Sequence, residues 1–148
     1  MIERNDPPAP RSPHTVHLTG TVLVEKRRGI VFVTINRPQK RDAMDPATME
    51  ALADAADAVD ADPEARVMVL TGAGNAFSSG MDLQAFSQGN RSWAAGRSRF
   101  PVVPTTKPAI AAVNGPAIAG GFELCGMRPG RCRRQRLQPA LPLQPKCW

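Results

Sequence analysis

Residues 107–123 read KPAIAAVNGPAIAGGFE, and the rest of the chain is understood from them. Lys107-Pro108 marks a boundary. The unbroken apolar run Ala109–Val113 has the length of a buried strand and closes at the turn signal Asn114-Gly115. Small residues and the pair Gly120-Gly121 then lead into Phe122-Glu123-Leu124, where a helix is expected to begin. Glycines between a strand and a helix start leave backbone N–H groups unclaimed, and such groups are placed to receive a developing negative charge. The one carboxylate of the segment, Glu123, follows within a turn. The pattern outlines an oxyanion site with an acid/base group beside it.

Two blocks upstream extend the reading: VMVLTGAGNAFSSGMDL at residues 67–83 and INRPQKRDAM at residues 35–44. With AAVNGPAIAGGFEL, they occur in the order and at the spacing of the crotonase (enoyl-CoA hydratase/isomerase) family, which the chain resembles over roughly residues 21–124. The resemblance implies an α/β fold, the N-terminal part of a spiral of β-β-α turns. It implies a coenzyme A thioester as substrate, coenzyme A being part of that substrate and no separate cofactor. It also implies an enolate whose oxygen meets two backbone N–H groups.

Carried over position by position, one donor falls on Met81 and the other on Gly120. Glu123 takes the place of the family's first hydratase glutamate, which positions or activates the water that adds to a 2-enoyl thioester. Arg41, with Lys40 as the alternative, matches the basic position that reaches a coenzyme phosphate. Ala43, Ser79, Gly80, Asp82, Leu83 and Gly121 are the accompanying substrate-binding positions. No metal is implied.

Between the blocks, local signals fill in the elements. Thr21–Glu25 and Ile30–Ile35 are β-branched runs around Lys26-Arg27-Arg28-Gly29, which predicts a hairpin with a basic turn. Asp45-Pro46 is a helix start, with Asp as the cap and Pro at the first position. Met49, Leu52, Ala53, Ala56 and Val59 form its apolar stripe, Glu50, Asp54, Asp57 and Asp60 its solvent face, and Asp62-Pro63 its end. Val67–Leu70 is a second buried strand, so a right-handed β-α-β connection and a parallel sheet are expected. Gly72 and Gly74 begin a G-x-G, but Phe77 breaks the dinucleotide pattern. Ser78 and Ser79 stand in no G-x-S-x-G elbow. Residues 88–104 read as a linker, with Phe86, Trp93 and Phe100 as candidate acyl-pocket residues.

The ends read differently. Residues 1–20 are polar and proline-rich and are expected to form a disordered extension, in which His14 and His17 have no partners for a metal. The net charge of +6 lies wholly in residues 125–148, because the first 124 residues hold equal numbers of each sign. That segment, CGMRPGRCRRQRLQPALPLQPKCW, has no acid and no periodicity, and is expected to be a disordered basic tail. Its cysteines, Cys125, Cys132 and Cys147, fit neither a zinc knuckle nor a redox pair.

Family members continue past this point with E-L-x-x-A-C-D-L and a later block carrying a second glutamate. Reading the tail's codons one base later permits Val-Ala-Cys-Asp-Leu-Val-Val-Ala-Ala, so the departure after Leu124 is read as a frameshift. A fragment without the second glutamate is expected to have little or no hydratase activity. An acyl-CoA-binding remnant without turnover is the alternative, and RPGRCRRQR as a nucleic-acid arm is a remote third, since the neutral body offers no stacking platform. No apolar run approaches the length of a membrane span and no secretory signal is visible, so a cytoplasmic protein is expected. The family's homotrimers or hexamers draw their contacts largely from beyond the break.

Overall fold

A computed structural model describes residues 14–88, 103 and 105–126. The N-terminal residues 1–13, the linker positions Trp93 and Phe100, and the tail from residue 127 lie outside the described residues. Five strands form one sheet in the order β1-β2-β3-β4-β5. β1 (His14–Thr19), β2 (Val22–Arg27) and β3 (Ile30–Ile35) pair antiparallel as a meander. β4 (Val67–Gly72) then joins β3 in parallel, and β5 (Ala109–Ala111) joins β4 in parallel.

The expected hairpin is present with its second strand at Ile30–Ile35 as read, but the first strand runs on through Arg27 and leaves Arg28-Gly29 as the loop. Both of these residues have positive φ, 48° and 80°, as the primed two-residue hairpin turns require. The parallel sheet is likewise present. The boundary of the N-terminal extension needs correction: His14–Thr19, placed within it, is a strand paired with β2. Pairing supplies its backbone partners, which the proline-rich context of residues 1–13 obscured.

Helix α1 (Pro46–Ala61) starts where the Asp-Pro signal put it. The Asp45 carboxylate accepts from the Thr48 N–H at 2.8 Å, and Pro46 occupies the first turn. Its stripe of Met49, Leu52, Ala56 and Val59 is buried against one face of the sheet, where Val31, Val33, Ile35, Met68 and Leu70 alternate inward. Phe77 and Leu124 close this core from the site side.

Asp60 departs from the solvent-facing assignment. Asp60 accepts from the Thr105 hydroxyl at 2.7 Å and the Thr106 N–H at 2.8 Å. In return, Lys107 Nζ donates to the carbonyls of Val59 and Asp62 at the end of α1. The entry to β5 is thereby latched to the helix terminus, an arrangement that the helical spacing of Asp60 does not reveal. Burial works against the charge on Asp60, but these donors outweigh it and hold the carboxyl below its usual range. Among the described residues no helix is long and apolar enough to cross a membrane.

Candidate functional site

Three segments that are remote in sequence meet beyond the ends of the parallel strands. The first is residues 36–45, which follow β3 and include the 3-10 turn Pro38–Lys40. The second is residues 73–82, which follow β4 and lead into the short helix α2 (Leu83–Ser87). The third is residues 112–119, which follow β5 and lead into α3 (Gly120–Cys125). This helix begins two residues earlier than the sequence suggested, so the glycine pair is its first turn.

Two isolated parallel bridges fasten the three segments together, Met44 to Met81 and Ser78 to Ala117. In the first, Met44 N–H donates to the Gly80 carbonyl at 2.7 Å and Asp82 N–H donates to the Met44 carbonyl at 2.8 Å. In the second, Ser78 N–H donates to the Pro116 carbonyl at 3.3 Å and Ile118 N–H donates to the Ser78 carbonyl at 3.0 Å, with the Phe77 N–H also on the Pro116 carbonyl at 3.0 Å. Ser79 adds its N–H to the Arg41 carbonyl, and buried Ser78 donates its hydroxyl to the Asp42 carbonyl at 2.8 Å. Both serines are thus part of the frame. Asn114, read from sequence as half of a turn signal, is a cross-tie. Its amide donates to the carbonyls of Gly72, Gly74 and Ala76, while its oxygen accepts from the Gly72 N–H.

Contacts this close require glycine, and two such positions flank the candidate donors. A Cβ built on Gly121 would lie 2.3 Å from the Ser78 carbonyl oxygen. Gly80 has φ +88°, and a Cβ there would lie 2.8 Å from the Ile118 oxygen and 3.1 Å from the Gly120 nitrogen. The second of these distances also locates the two candidate donors. By standard backbone dimensions the Gly120 nitrogen lies within about 6.5 Å of the Met81 nitrogen.

The direction of each donor follows from the planarity of its peptide. In a trans peptide the C=O and the following N–H point opposite ways. The Gly80 carbonyl is held by Met44, so the Met81 N–H is aimed away from the bridge. The Ala119 carbonyl accepts from the N–H groups of Phe122 and Glu123 at 2.9 and 3.1 Å, so the Gly120 N–H is aimed away from the body of α3. Among the described residues, no protein acceptor takes either the Met81 or the Gly120 N–H. Gly120 is buried, Met81 is half-buried, and exposed Glu123 follows one turn later on α3.

The other sequence-predicted positions divide into frame and surface. Ala43, Gly80 and Gly121 are buried, whereas Lys40, Arg41 and Leu83 are exposed, Leu83 at 74%. Lys40 Nζ donates to Gln84 Oε1 at 2.5 Å, which brings the basic loop against α2. Asp82 spends both carboxylate oxygens on the protein. Oδ1 accepts from the N–H groups of Gln84 and Ala85, and Oδ2 accepts from Arg37 Nη2 at 2.9 Å. Burial opposes ionisation of Asp82, but the Ala85 N–H and the Arg37 guanidinium outweigh it and hold the carboxyl below its usual range.

Two residues of the Ile35–Met44 block matter more to the frame than the sequence indicated. Arg37, 15% exposed, also donates to the Ala43 carbonyl and pairs with Asp45 at 3.1 Å. Asp42 is fully buried. Its Oδ1 accepts from the Arg37 N–H at 2.8 Å, while Oδ2 has no hydrogen-bond partner. Burial raises its carboxyl above the usual range, against the pull of the Arg37 and Ala73 N–H groups and of the Arg37 charge. Nothing in the local pattern RDAM distinguishes this aspartate from a solvated one.

The pattern of the enoyl-CoA hydratase/isomerase family matches residues 25–128. Enoyl-CoA hydratase EchA19 of Mycobacterium tuberculosis is 43% identical over 119 residues, 74% of this chain and 45% of that protein. Hydroxycinnamoyl-CoA hydratase-lyase of Pseudomonas fluorescens is 39% identical over 114 residues, 70% of this chain and 41% of that protein. The crystal structure of an enoyl-CoA hydratase from Mycobacterium tuberculosis superposes with a TM-score of 0.66 at 48% identity, covering 72% of this chain and 42% of that one. The chain spans about half the length, or less, of the relatives it matches.

Proposed function

The chain belongs to the enoyl-CoA hydratase/isomerase family, and from that premise we propose that it binds an acyl-CoA thioester with the carbonyl oxygen between the Met81 and Gly120 N–H groups. The observation that carries this reading is the pair of backbone donors, taken by no described protein acceptor and aimed by their own peptide planes. Rigid backbone donors suit a developing oxyanion because they need no reorganisation as charge moves onto it. Each is typically worth ~2.7–4 kcal/mol in the transition state.

In the hydration that such a site serves, the water oxygen bonds to the β-carbon of a 2-enoyl thioester while Glu123 accepts the proton. The π electrons move towards the carbonyl, and the negative charge settles on the oxygen between the two N–H groups. Return of that proton from the Glu123 carboxyl to the α-carbon then completes the addition. Arg41, exposed at the end of the basic loop, is positioned in this reading to meet a coenzyme phosphate, with Lys40 beside it. Ala43, Ser79, Gly80 and Gly121 contribute backbone and close packing, and Leu83 an apolar surface. Asp82 acts through the loop that it braces.

Residues 125–148 hold no carboxylate side chain, so the second glutamate of the family pattern has no counterpart there. These 148 residues alone are therefore expected to bind acyl-CoA without appreciable hydration. The test compares butyryl-CoA with the thioether analogue that lacks the carbonyl, by calorimetry on the purified chain. Two hydrogen bonds at about 0.5–1.5 kcal/mol each predict roughly 5- to 150-fold weaker binding of the thioether. Equal affinities would refute the oxyanion reading. Hydration of crotonyl-CoA about a thousandfold or more above background would overturn the expected lack of turnover.

A further inference from the structure

We infer that Arg37 is a positioning residue for the Met81 N–H, a role that rests on the reading of this N–H as one half of the oxyanion site. The direction of the donor is set by the Gly80–Met81 peptide plane. That plane is held by an isolated bridge of two hydrogen bonds, one on each side of Met44. So short a pairing is weak by itself. Arg37 reaches both of its strands.

On one strand, Nη1 donates to the Ala43 carbonyl, just before Met44, and Nη2 pairs with Asp45, just after it. On the other, Nη2 donates to Asp82, just after Met81, at 2.9 Å. The two aspartates are themselves anchored, because their second oxygens cap α1 and α2. One planar guanidinium therefore ties the starts of two helices across the bridge that aims the donor. Its fork is needed because a lysine ammonium is a single point charge and cannot reproduce this spread. With three protein oxygens around it and 15% exposure, Arg37 is committed to the frame, in contrast to exposed Arg41.

Two measurements on the 148-residue chain test the inference: amide hydrogen exchange without ligand, and the infrared carbonyl stretch of bound, carbon-13-labelled butyryl-CoA at saturation. In Arg37→Met, exchange at the Met44 and Asp82 amides should quicken by ~10-fold or more relative to Val33 and Leu70 in the same chain. The downshift of the bound carbonyl should shrink. Arg37→Lys should recover only part of either effect. A variant in which Met44 and Asp82 quicken no more than the core amides overturns the inference, since that would be a loss of general stability.

If Arg37→Met does not fold, Asp82→Asn is read in the same way, and unchanged relative exchange at Met44 overturns the inference. The two proposals fail separately. A parent chain that shows no carbonyl shift sinks the oxyanion reading and this inference with it. A shift retained in full by Arg37→Met sinks the Arg37 role alone.

Discussion

Replacing Asp42 with asparagine should stabilise the chain, and more so as the pH rises. Asp42 Oδ2 is buried and unpartnered. Two carbonyls share its neighbourhood with the Ala73 N–H: a Cβ built on Gly72 would stand 2.3 Å from the Ala76 carbonyl, 2.4 Å from the Phe77 carbonyl and 2.9 Å from Asp42 Oδ2. An ionised carboxylate is badly placed there. An amide that keeps Oδ1 on the Arg37 N–H and turns its NH2 towards this cluster removes the charge and supplies donors.

Leaving a buried polar group unpaired costs about 1–3 kcal/mol, so the gain at neutral pH should be of that order. For a chain of this length it corresponds to about 2–4 °C in Tm for each kcal/mol. The sign of the pH dependence follows from proton counting. The folded carboxyl is raised, so the folded state binds more protons than the unfolded one, and the stability that Asp42 allows falls as pH rises from the unfolded pKa through the folded one. The advantage of Asp42→Asn should therefore be smallest near pH 4 and grow from there to a plateau. Thermal or urea unfolding of parent and variant between pH 4 and 8 measures it. An asparagine variant less stable than the parent at pH 7, or a gain independent of pH, would refute the reasoning.

Two other substitutions probe the frame. Gly121→Ala must move the Ser78 carbonyl by about 1 Å, at a cost of about 1–3 kcal/mol; the preference for butyryl-CoA over its thioether should fall towards unity in calorimetry, and a full preference would show that the loops do not meet as described. Asp60→Ala strands the Thr105 hydroxyl and the Thr106 N–H, while the Lys107 N–H keeps the Thr105 oxygen, so it should cost about 1–3 kcal/mol at pH 7. Because the Asp60 carboxyl is held low, its contribution is present above the unfolded pKa and is lost as pH falls through the folded one. The difference from the parent should narrow below about pH 4 in unfolding curves, and a difference constant down to pH 2 would count against the latch.

The elements legible in the sequence were those announced by neighbours. The Asp45-Pro46 helix start, the β2–β3 hairpin, and the strand and glycine pair of residues 109–121 all carry their signals within a few residues. What escaped reading was set by partners about 40 positions away. Asp60 has the spacing of a solvent-facing residue and is claimed by Thr105 and Thr106. Asp82 sits among substrate-binding positions by resemblance, yet its carboxylate belongs to Arg37 and α2. Asn114 is a turn former by composition and a five-bond tie in the fold. Asp42 is one more charge in a charged loop until its burial is known. Local signals thus located the candidate donors without revealing what aims them.

That separation also sets a timetable. The contacts that frame the donors join Arg37 to Asp82, Asp42 to Ser78 and Gly72 to Asn114, across 45, 36 and 42 residues. A ribosome adding about 5–20 residues per second takes roughly 2–9 s to traverse such an interval. During synthesis the Ser78–Asp82 loop therefore waits seconds for the segment carrying Ala117 and Gly120, with Phe77 next to it not yet closed in by that segment. The donor pair is assembled only when residue 120 has emerged, so a nascent chain halted between residues 82 and 117 holds one donor without the other, and chaperones would meet it in that state.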